Sequence, residues 1–361
     1  MKYIFTLGHP AHFYLFRQVI NNLKNDGHDV MIVITDKDIL RELLDDNHYQ
    51  YEILSNREHK DNLFLKAIKI AHSTESLIRI VKIFHPDLMI GCLSQMAYVT
   101  KITNIPSIFC GEDDYSYMRA QYHLTCPWIS CMLAPSSTNV GPYESKRISY
   151  NGYHKLSYLH PNVFTPNSDF VGEMNPPYSL VRLVSLSAHH DVNAKGISLD
   201  ILDNLIDILK PYGNVYLSTE KQLPSKYQEY KLPINVSYIH HALYFAQIYI
   251  GDSQSMAVEA AMLGVPSIRF NSFAGKIGVL QELELKYQLT FGISPSDPEL
   301  LYSKSVDLLS TPNLFDIFQN RRRQMLADKI DVSAFFTWFV ENYPESKKIM
   351  KENPDYQYRF K

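Results

Sequence analysis

The sequence is short of cysteine: four residues in 361, Cys92, Cys110, Cys126 and Cys131, none in a Cys-x-x-Cys pair. That excludes a disulfide framework and a cysteine-rich zinc site, and it fits a reducing compartment. No apolar run approaches the roughly 18 residues that span a bilayer. The five-residue run Tyr3 to Leu7 is too short for the core of a signal peptide. Positive charge is not in excess: 35 Lys and Arg stand against 38 Asp and Glu, for a net charge of -3. General capture of a phosphate backbone is therefore not expected, and nucleic acid is not a partner. No segment is of low complexity. What is present is 45% hydrophobic and 20% charged residues, enough for a full core. The length favours two domains over one. The chain reads as a soluble cytoplasmic protein, with contact at the inner membrane face left open.

The apolar runs alternate with helical patterns. Tyr3 to Leu7 closes on Gly8-His9-Pro10, after which Phe16, Val19, Ile20 and Leu23 recur at helical spacing up to Gly27, a C-cap. Asp29 to Thr35 is then a continuous apolar run of the kind buried on both faces of a parallel sheet. Asp87 to Gly91, Pro106 to Cys110 and Cys131 to Ala134 continue the series, with a helical pattern from Asn62 to Phe84. Prolines 161, 166, 176 and 177 break the periodicity between Tyr150 and Tyr178, which marks a domain boundary. Strands are expected again at Leu180 to Leu186, Asn214 to Leu217, Gln247 to Ile250 and Pro266 to Phe270, with a helix at Ser198 to Lys210. The expected division is 1–165, 166–330, and a C-terminal helix and polar tail at 331–361 whose end, from Tyr343, frays.

Residues 91–108 (GCLSQMAYVTKITNIPSI) align without a gap on residues 251–268 (GDSQSMAVEAAMLGVPSI). Gly91/Gly251, Met96/Met256, Ala97/Ala257 and the Pro-Ser-Ile triplets are identical. Convergence of two ordinary βαβ units and ancestral duplication explain this equally well, and both give two similar domains.

In the second copy small polar residues fall where a helix exposes unpaired N–H groups: Asp252, Ser253, Gln254 and Ser255, with Glu259 one turn further on. Such an end attracts a diphosphate through the helix dipole, with Ser253 and Ser255 hydroxyls beside it and Glu259 in reach of a ribose. The plainer alternative is a Ser or Asp cap and a solvated acid.

GDSQSMAVEAAMLGVPSI resembles the nucleotide-binding segment of GT-B glycosyltransferases and of the related UDP-N-acetylglucosamine 2-epimerases, in which an Asp-Ser-Gly-Gly turn precedes a Glu-Ala helix ending in Gly-x-Pro. The resemblance implies that Ser253, Gln254 and Ser255 hold the diphosphate of a UDP-sugar and that Glu259 holds its ribose. Gln254 and Ser255 depart from the pattern, standing where the epimerases have glycine. The opening LGHPAHF with the later GHDV and TDKD resembles a family described as DUF354, glycosyltransferase-like proteins of the GT-B superfamily. The implied fold is α/β, GT-B: two facing Rossmann-like doubly wound domains with an interdomain cleft, the acceptor on the first and the nucleotide sugar on the second. The implied activity is metal-independent transfer of a sugar from a nucleotide donor to a saccharide or lipid-linked acceptor, as in surface polysaccharide assembly, with no cofactor beyond the substrate. A 2-epimerase and a non-catalytic nucleotide-sugar binder are the alternatives.

On the acceptor side, His12 matches the first-loop histidine of several inverting GT-B enzymes and is a candidate base, with His9 its competitor; a helix cap is the plain alternative for each. Glu112, Asp113 and Asp114 follow a strand directly, so they belong at the carboxyl edge of the sheet, where ligands bind. The place resembles that of an acid used by the epimerases. His189, His190 and Asp191 fall where the epimerases carry His-Arg-Arg-Glu-Asn, and are donor-binding candidates. His240, beside His241, falls in a region that contacts the base in similar enzymes, with a cap as the default. Arg321-Arg322-Arg323 reads as a solvated face, or as a contact with anionic lipid.

Overall fold

Pro10 at the first helical position and the His9 ring, which accepts the Ala11 N–H, start the first helix; Phe13, Phe16, Ile20 and Leu23 then line its buried side. This strand–loop–helix pattern repeats along the chain. The computed structural model describes residues 1–36, 38–56, 63–184, 196–219, 222–272 and 275–361. Met1–Val163 with Ile330–Lys361 forms one unit and Phe164–Lys329 a second.

The first unit runs β1 (Lys2–Leu7), α1 (Pro10–Asn25), β2 (Asp29–Asp36), α2 (Asp38–Asp46), β3 (Tyr51–Asn56), α3 (Leu63–Phe84), β4 (Leu88–Gly91), α4 (Gln95–Thr103), β5 (Ser107–Cys110), α5 (Tyr115–Thr125), β6 (Cys131–Pro135), β7 (Arg147–Tyr150) and α6 (Leu156–Leu159). Its sheet has the order β3-β2-β1-β4-β5-β6-β7, and every neighbouring pair is parallel. Ile4, Val33, Met89, Phe109 and Met132 face a helical layer that supplies Leu77 and Val81 from α3, Ala97 and Val99 from α4, and Tyr122 from α5. The strand order reverses between β1 and β4, and a crevice at the carboxyl ends of two such strands is where open α/β sheets bind ligands. Gly91 is required there: a Cβ on it would lie 2.2 Å from the Thr6 hydroxyl oxygen.

The second unit runs β8 (Tyr178–Leu183), α7 (Leu199–Leu209), β9 (Asn214–Thr219), α8 (Ile239–Phe245), β10 (Ile248–Gly251), α9 (Gln254–Leu263), β11 (Ser267–Phe270), α10 (Gly278–Gln281), β12 (Thr290–Ile293), α11 (Pro298–Leu309) and α12 (Leu314–Asp328). The order β12-β11-β10-β8-β9 is again all parallel, with its reversal between β8 and β10.

The internal repeat is structural. Met89, Ile90 and Gly91 pair with Ser107, Ile108 and Phe109, and the residues 160 further on, Tyr249, Ile250 and Gly251, pair with Ser267, Ile268 and Arg269 in the same register. Both helices end in a left-handed residue, Asn104 after α4 and Gly264 after α9.

After the second unit the chain returns to the first as α13 (Val332–Glu341) and α14 (Glu345–Glu352). Asn22 of α1 donates to the Thr337 hydroxyl at 3.1 Å, and the buried faces of Phe335 and Phe336 lie against Tyr150. The tail from Tyr343, expected to fray, is instead packed. Trp338 and Tyr356 stack at 4.7 Å, Gln357 accepts the Asn151 N–H, and Lys347 and Lys351 donate to carbonyls of Ser130, Ser145 and Arg147. These anchors are single aromatics and long polar side chains bonded to distant backbone, which composition read as a solvated tail. Among the described residues no helix is long and apolar enough to cross a membrane.

Candidate functional site

In the second unit, the strand reversal brings the end of β8 beside the end of β10. Asp252, immediately after β10, is 2% exposed and bridges the two: its Oδ1 accepts the Val184 N–H at 2.7 Å. Its main-chain oxygen accepts the Asn271 side-chain N–H at 3.1 Å, and a Cβ on Gly196 would lie 2.5 Å from Oδ2. Asp252 therefore fixes the floor of the crevice by joining three loops. Ser253 is the N-cap of α9, with an extended backbone and its hydroxyl accepting the Met256 N–H at 3.4 Å. The capping alternative thus holds for the Ser253 side chain. Gln254 and Ser255 are the first two residues of the helix, so their N–H groups lie beyond the reach of intrahelical acceptors, and Ser255 is exposed.

From Met256 to Leu263 every residue of α9 is buried. Such an all-buried helix is a packed central element of the unit. Glu259 lies within that buried stretch, 8% exposed, with Oε1 3.5 Å from Nε2 of the buried His240 on α8. His240 is therefore brought to Glu259. His241 is engaged elsewhere. Its Nδ1 accepts the Asn167 N–H and its ring packs between Phe164 and Phe170, so it ties the start of the unit to α8. Burial, and then the neighbouring His240, lowers its pKa and favours the neutral, accepting ring.

The far end of α9 is held by α12. Arg322 Nε donates to the Met262 carbonyl at 2.7 Å, and Gln319 Nε2 donates to the Leu263 and Gly264 carbonyls. Arg321 donates to the Gln288 carbonyl and side chain, and Arg323 to Asn320. Of the arginine run, expected as a solvated face or a lipid contact, Arg321 and Arg322 are tied to other segments of the unit, while Arg323 is exposed.

In the first unit His9 and His12 flank the turn after β1, with ring centroids 6.0 Å apart. His9 is exposed and caps α1. His12 is half-buried and its Nδ1 accepts the Gly8 N–H at 3.0 Å. A ring nitrogen that accepts an N–H carries no proton, so the neutral His12 ring keeps its proton on Nε2.

Beyond β5, Glu112 accepts the His154 main-chain N–H and the Lys155 ammonium, both at 2.7 Å. Burial alone would raise its pKa, but Lys155 and His154 together outweigh it, and the carboxyl is held below its ordinary value. Burial pushes the His154 imidazole down to about 4, with Glu112 opposing, so its 3.9 Å approach to Glu112 at neutral pH is not an ion pair. Asp113 is exposed, and its carbonyl accepts the Tyr122 hydroxyl. Asp114 is buried, its Oδ1 taking the Asn139 N–H at 2.6 Å. Cys92 lies close by, and its thiol is pushed up by burial and then by Asp113 and Glu112, which keeps it neutral. Tyr14 of α1 packs 5.3 Å from Tyr158 of α6, joining the His12 helix to the segment that carries Lys155.

Sequence reasoning did not find Lys155 or His154, which lie in the proline-broken stretch read as a boundary. His189, His190 and Asp191 lie outside the described residues.

A family model described as "Protein of unknown function (DUF354)" matches residues 2–279. The chain belongs to the DUF354 family. No curated protein sequence matches it. Among solved structures, this DUF354 chain is similar to the S. aureus MnaA–UDP co-structure, with a TM-score of 0.66 and 12% identity over 96% of this chain and 97% of that one. It is similar to UDP-GlcNAc 2-epimerase from Neisseria meningitidis bound to UDP-GlcNAc, with a TM-score of 0.66 and 14% identity over 95% and 100%. Glycosyltransferase VinC in complex with DTDP matches with a TM-score of 0.62 and 14% identity over 98% and 100%. At such identity the likeness establishes the fold: the DUF354 chain has the GT-B architecture of two parallel-sheet α/β domains.

Proposed function

We propose that this DUF354 protein is a glycosyltransferase that takes its sugar from a nucleoside diphosphate donor, most simply a UDP-sugar, and passes it to a saccharide or lipid-linked acceptor in surface polysaccharide assembly. The observation that carries this reading is the N-terminus of the buried helix α9 at the β8–β10 reversal, with a buried carboxylate, Glu259, one turn inside it. The N–H groups of Gln254 and Ser255 and the helix dipole stabilise a diphosphate there, and more so as the leaving group gains charge. Glu259, held beside His240, accepts from the ribose hydroxyls. The named ligands of the structural neighbours, UDP, UDP-GlcNAc and DTDP, are of the class this site would take.

His12 serves the acceptor. Because its neutral ring keeps the proton on Nε2, it becomes a base at that atom only when the Gly8 contact is released and Nδ1 takes the proton. Lys155 holds Glu112 as a carboxylate, which suits Glu112 to orienting a hydroxyl and not to donating a proton.

Epimerisation is the second reading, favoured by the acidic loop Glu112 to Asp114 at the carboxyl end of β5. The experiment is incubation with UDP-sugars, with and without saccharide acceptors, followed by NMR of the sugar. Transfer or slow donor hydrolysis with retained configuration at C2 supports the transferase; inversion at C2 without acceptor retires it. A thermal-shift series with UDP, GDP, CMP and ADP sugars identifies the base, and no stabilisation by any of them removes the nucleotide-sugar reading.

A further inference from the structure

We propose that the outer side of the α3–α4–α5 layer in the first unit is a docking surface for an anionic lipid bilayer. This goes beyond the transferase reading and stands without it.

Large apolar side chains are exposed along this side: Ile83 at 81%, Ile102 at 62%, Leu124 at 48% and Trp128, just after α5, at 40%. Single exposed apolar residues need no explanation, but here they sit on three adjacent helices of one layer. Between α3 and α4 lies a shallow, mostly apolar depression of about 390 Å³, lined by Ile70, Thr74, Ile78, Tyr98 and Ile102 with Glu75 at its edge.

Charge selects the occupant. From Ile68 to the end of α3, and through α4 and α5, the exposed cations are Arg79, Lys82, Lys101 and Arg119 against only one acid, Glu75, which is bridged to Arg79 at 2.6 Å. This is in a chain whose acids outnumber its Lys and Arg, 38 to 35. Lys101 stacks on Trp128 with Nζ 3.7 Å from the ring centroid, a pair with an apolar body and a cationic tip. Cations interleaved with isoleucine and tryptophan match anionic headgroups over acyl chains, and each Lys or Arg adds to such binding. A second copy fits less well, because two-fold pairing sets the same patch against itself and so brings like charges together. A nucleic-acid backbone gains nothing from the isoleucines.

The test is co-sedimentation of the full-length protein with vesicles of phosphatidylcholine alone, or with about one third phosphatidylglycerol. Binding is expected to the anionic vesicles only, weakening with salt. Two double variants, Lys82→Glu with Lys101→Glu and Ile102→Ser with Trp128→Ser, are each expected to weaken partitioning about tenfold or more with melting temperatures retained. Leu285→Ser, at a residue 78% exposed in the second unit, leaves it unchanged. The proposal is overturned if the unaltered protein ignores anionic vesicles or binds neutral ones equally. It is also overturned if both double variants fold and bind as before, if a single-stranded RNA binds as tightly as the vesicles, or if light scattering shows a dimer that the substitutions dissociate while vesicles are not bound.

Discussion

Glu259 occupies in β10–α9–β11 the position that Val99 occupies in β4–α4–β5, two segments with the same strand register. Both side chains are buried, Val99 at 0% and Glu259 at 8% exposure. A core position that takes valine in one copy has no structural need for a carboxylate in the other, and burying one costs free energy unless it is well bonded. Cys92 and Asp252 are related in the same way; the Asp252 carboxylate accepts the Val184 N–H, and the Glu259 carboxylate is set 3.5 Å from His240.

Glu259→Val should therefore still fold, since valine fits the equivalent position of the first copy, while stabilisation by UDP falls by at least about tenfold in affinity, roughly 1.4 kcal/mol. Glu259→Gln should give the same loss with unchanged shape. Differential scanning fluorimetry with graded UDP reads both quantities, and a full UDP response in Glu259→Val takes the ribose role away from Glu259.

The Glu112–Lys155 pair sets a pH dependence of stability. His154 is neutral in the fold, with its pKa pushed to about 4 from an ordinary 6.5, so the unfolded chain binds the extra proton between those values and stability falls as pH drops through that window. Glu112 is held below its ordinary 4.5, so its contribution is complete above that value and is lost as pH falls below it. Both act in the same direction. Urea titrations from pH 7 to pH 3 should show the decline, and His154→Gln should flatten the part between about 6.5 and 4. Lys155→Met leaves a buried carboxylate uncompensated and should cost about 3 kcal/mol at pH 7, most of it restored by adding Glu112→Gln. A Lys155→Met protein as stable as its parent would show that the pair is not coupled.

Most of the strand series could be read from sequence because interior strands of a parallel sheet are continuous apolar runs, as at β2. The three strands without such a signal, β3, β7 and β12, all lie at sheet edges. Only two of the four residues of β7 are buried, and Gly292 interrupts β12. Within the candidate site, the Ser253 cap was legible because local chemistry decides it. The site was not legible where a partner comes from afar: Glu112 meets Lys155 across 43 residues, and Arg322 meets Met262 across 60.

The clamp on α9 can be tested at its C-terminal end, away from ligand. Gly264 has φ +71°, and a Cβ there would lie 2.7 Å from Gln319 Nε2 and 3.0 Å from Arg322 Cδ. Gly264→Ala should destabilise by about 1–3 kcal/mol through backbone strain and the displaced clamp. Arg322→Ala, which leaves the Met262 carbonyl without its charged donor, should cost a similar amount. Chemical denaturation measures both, and an unaffected Arg322→Ala would return the arginine run to the status of a solvated face.

His9 and His12 separate by readout. His9 accepts the Ala11 N–H at 3.1 Å as the cap of α1, so His9→Ala should lower stability by about 1 kcal/mol and leave turnover at saturating substrate near that of the parent. His9→Asn, a competent cap, should restore the stability. His12→Ala should leave UDP stabilisation intact, since the proposed donor site is in the second unit, and reduce transfer by about a hundredfold or more. The acid limb of the pH–rate profile should vanish with it, because protonation of the ring is what that limb reports. If His12→Ala keeps both its rate and its acid limb while His9→Ala loses them, the exposed cap histidine is the one that handles the acceptor proton, and the Gly8 contact of His12 is purely architectural.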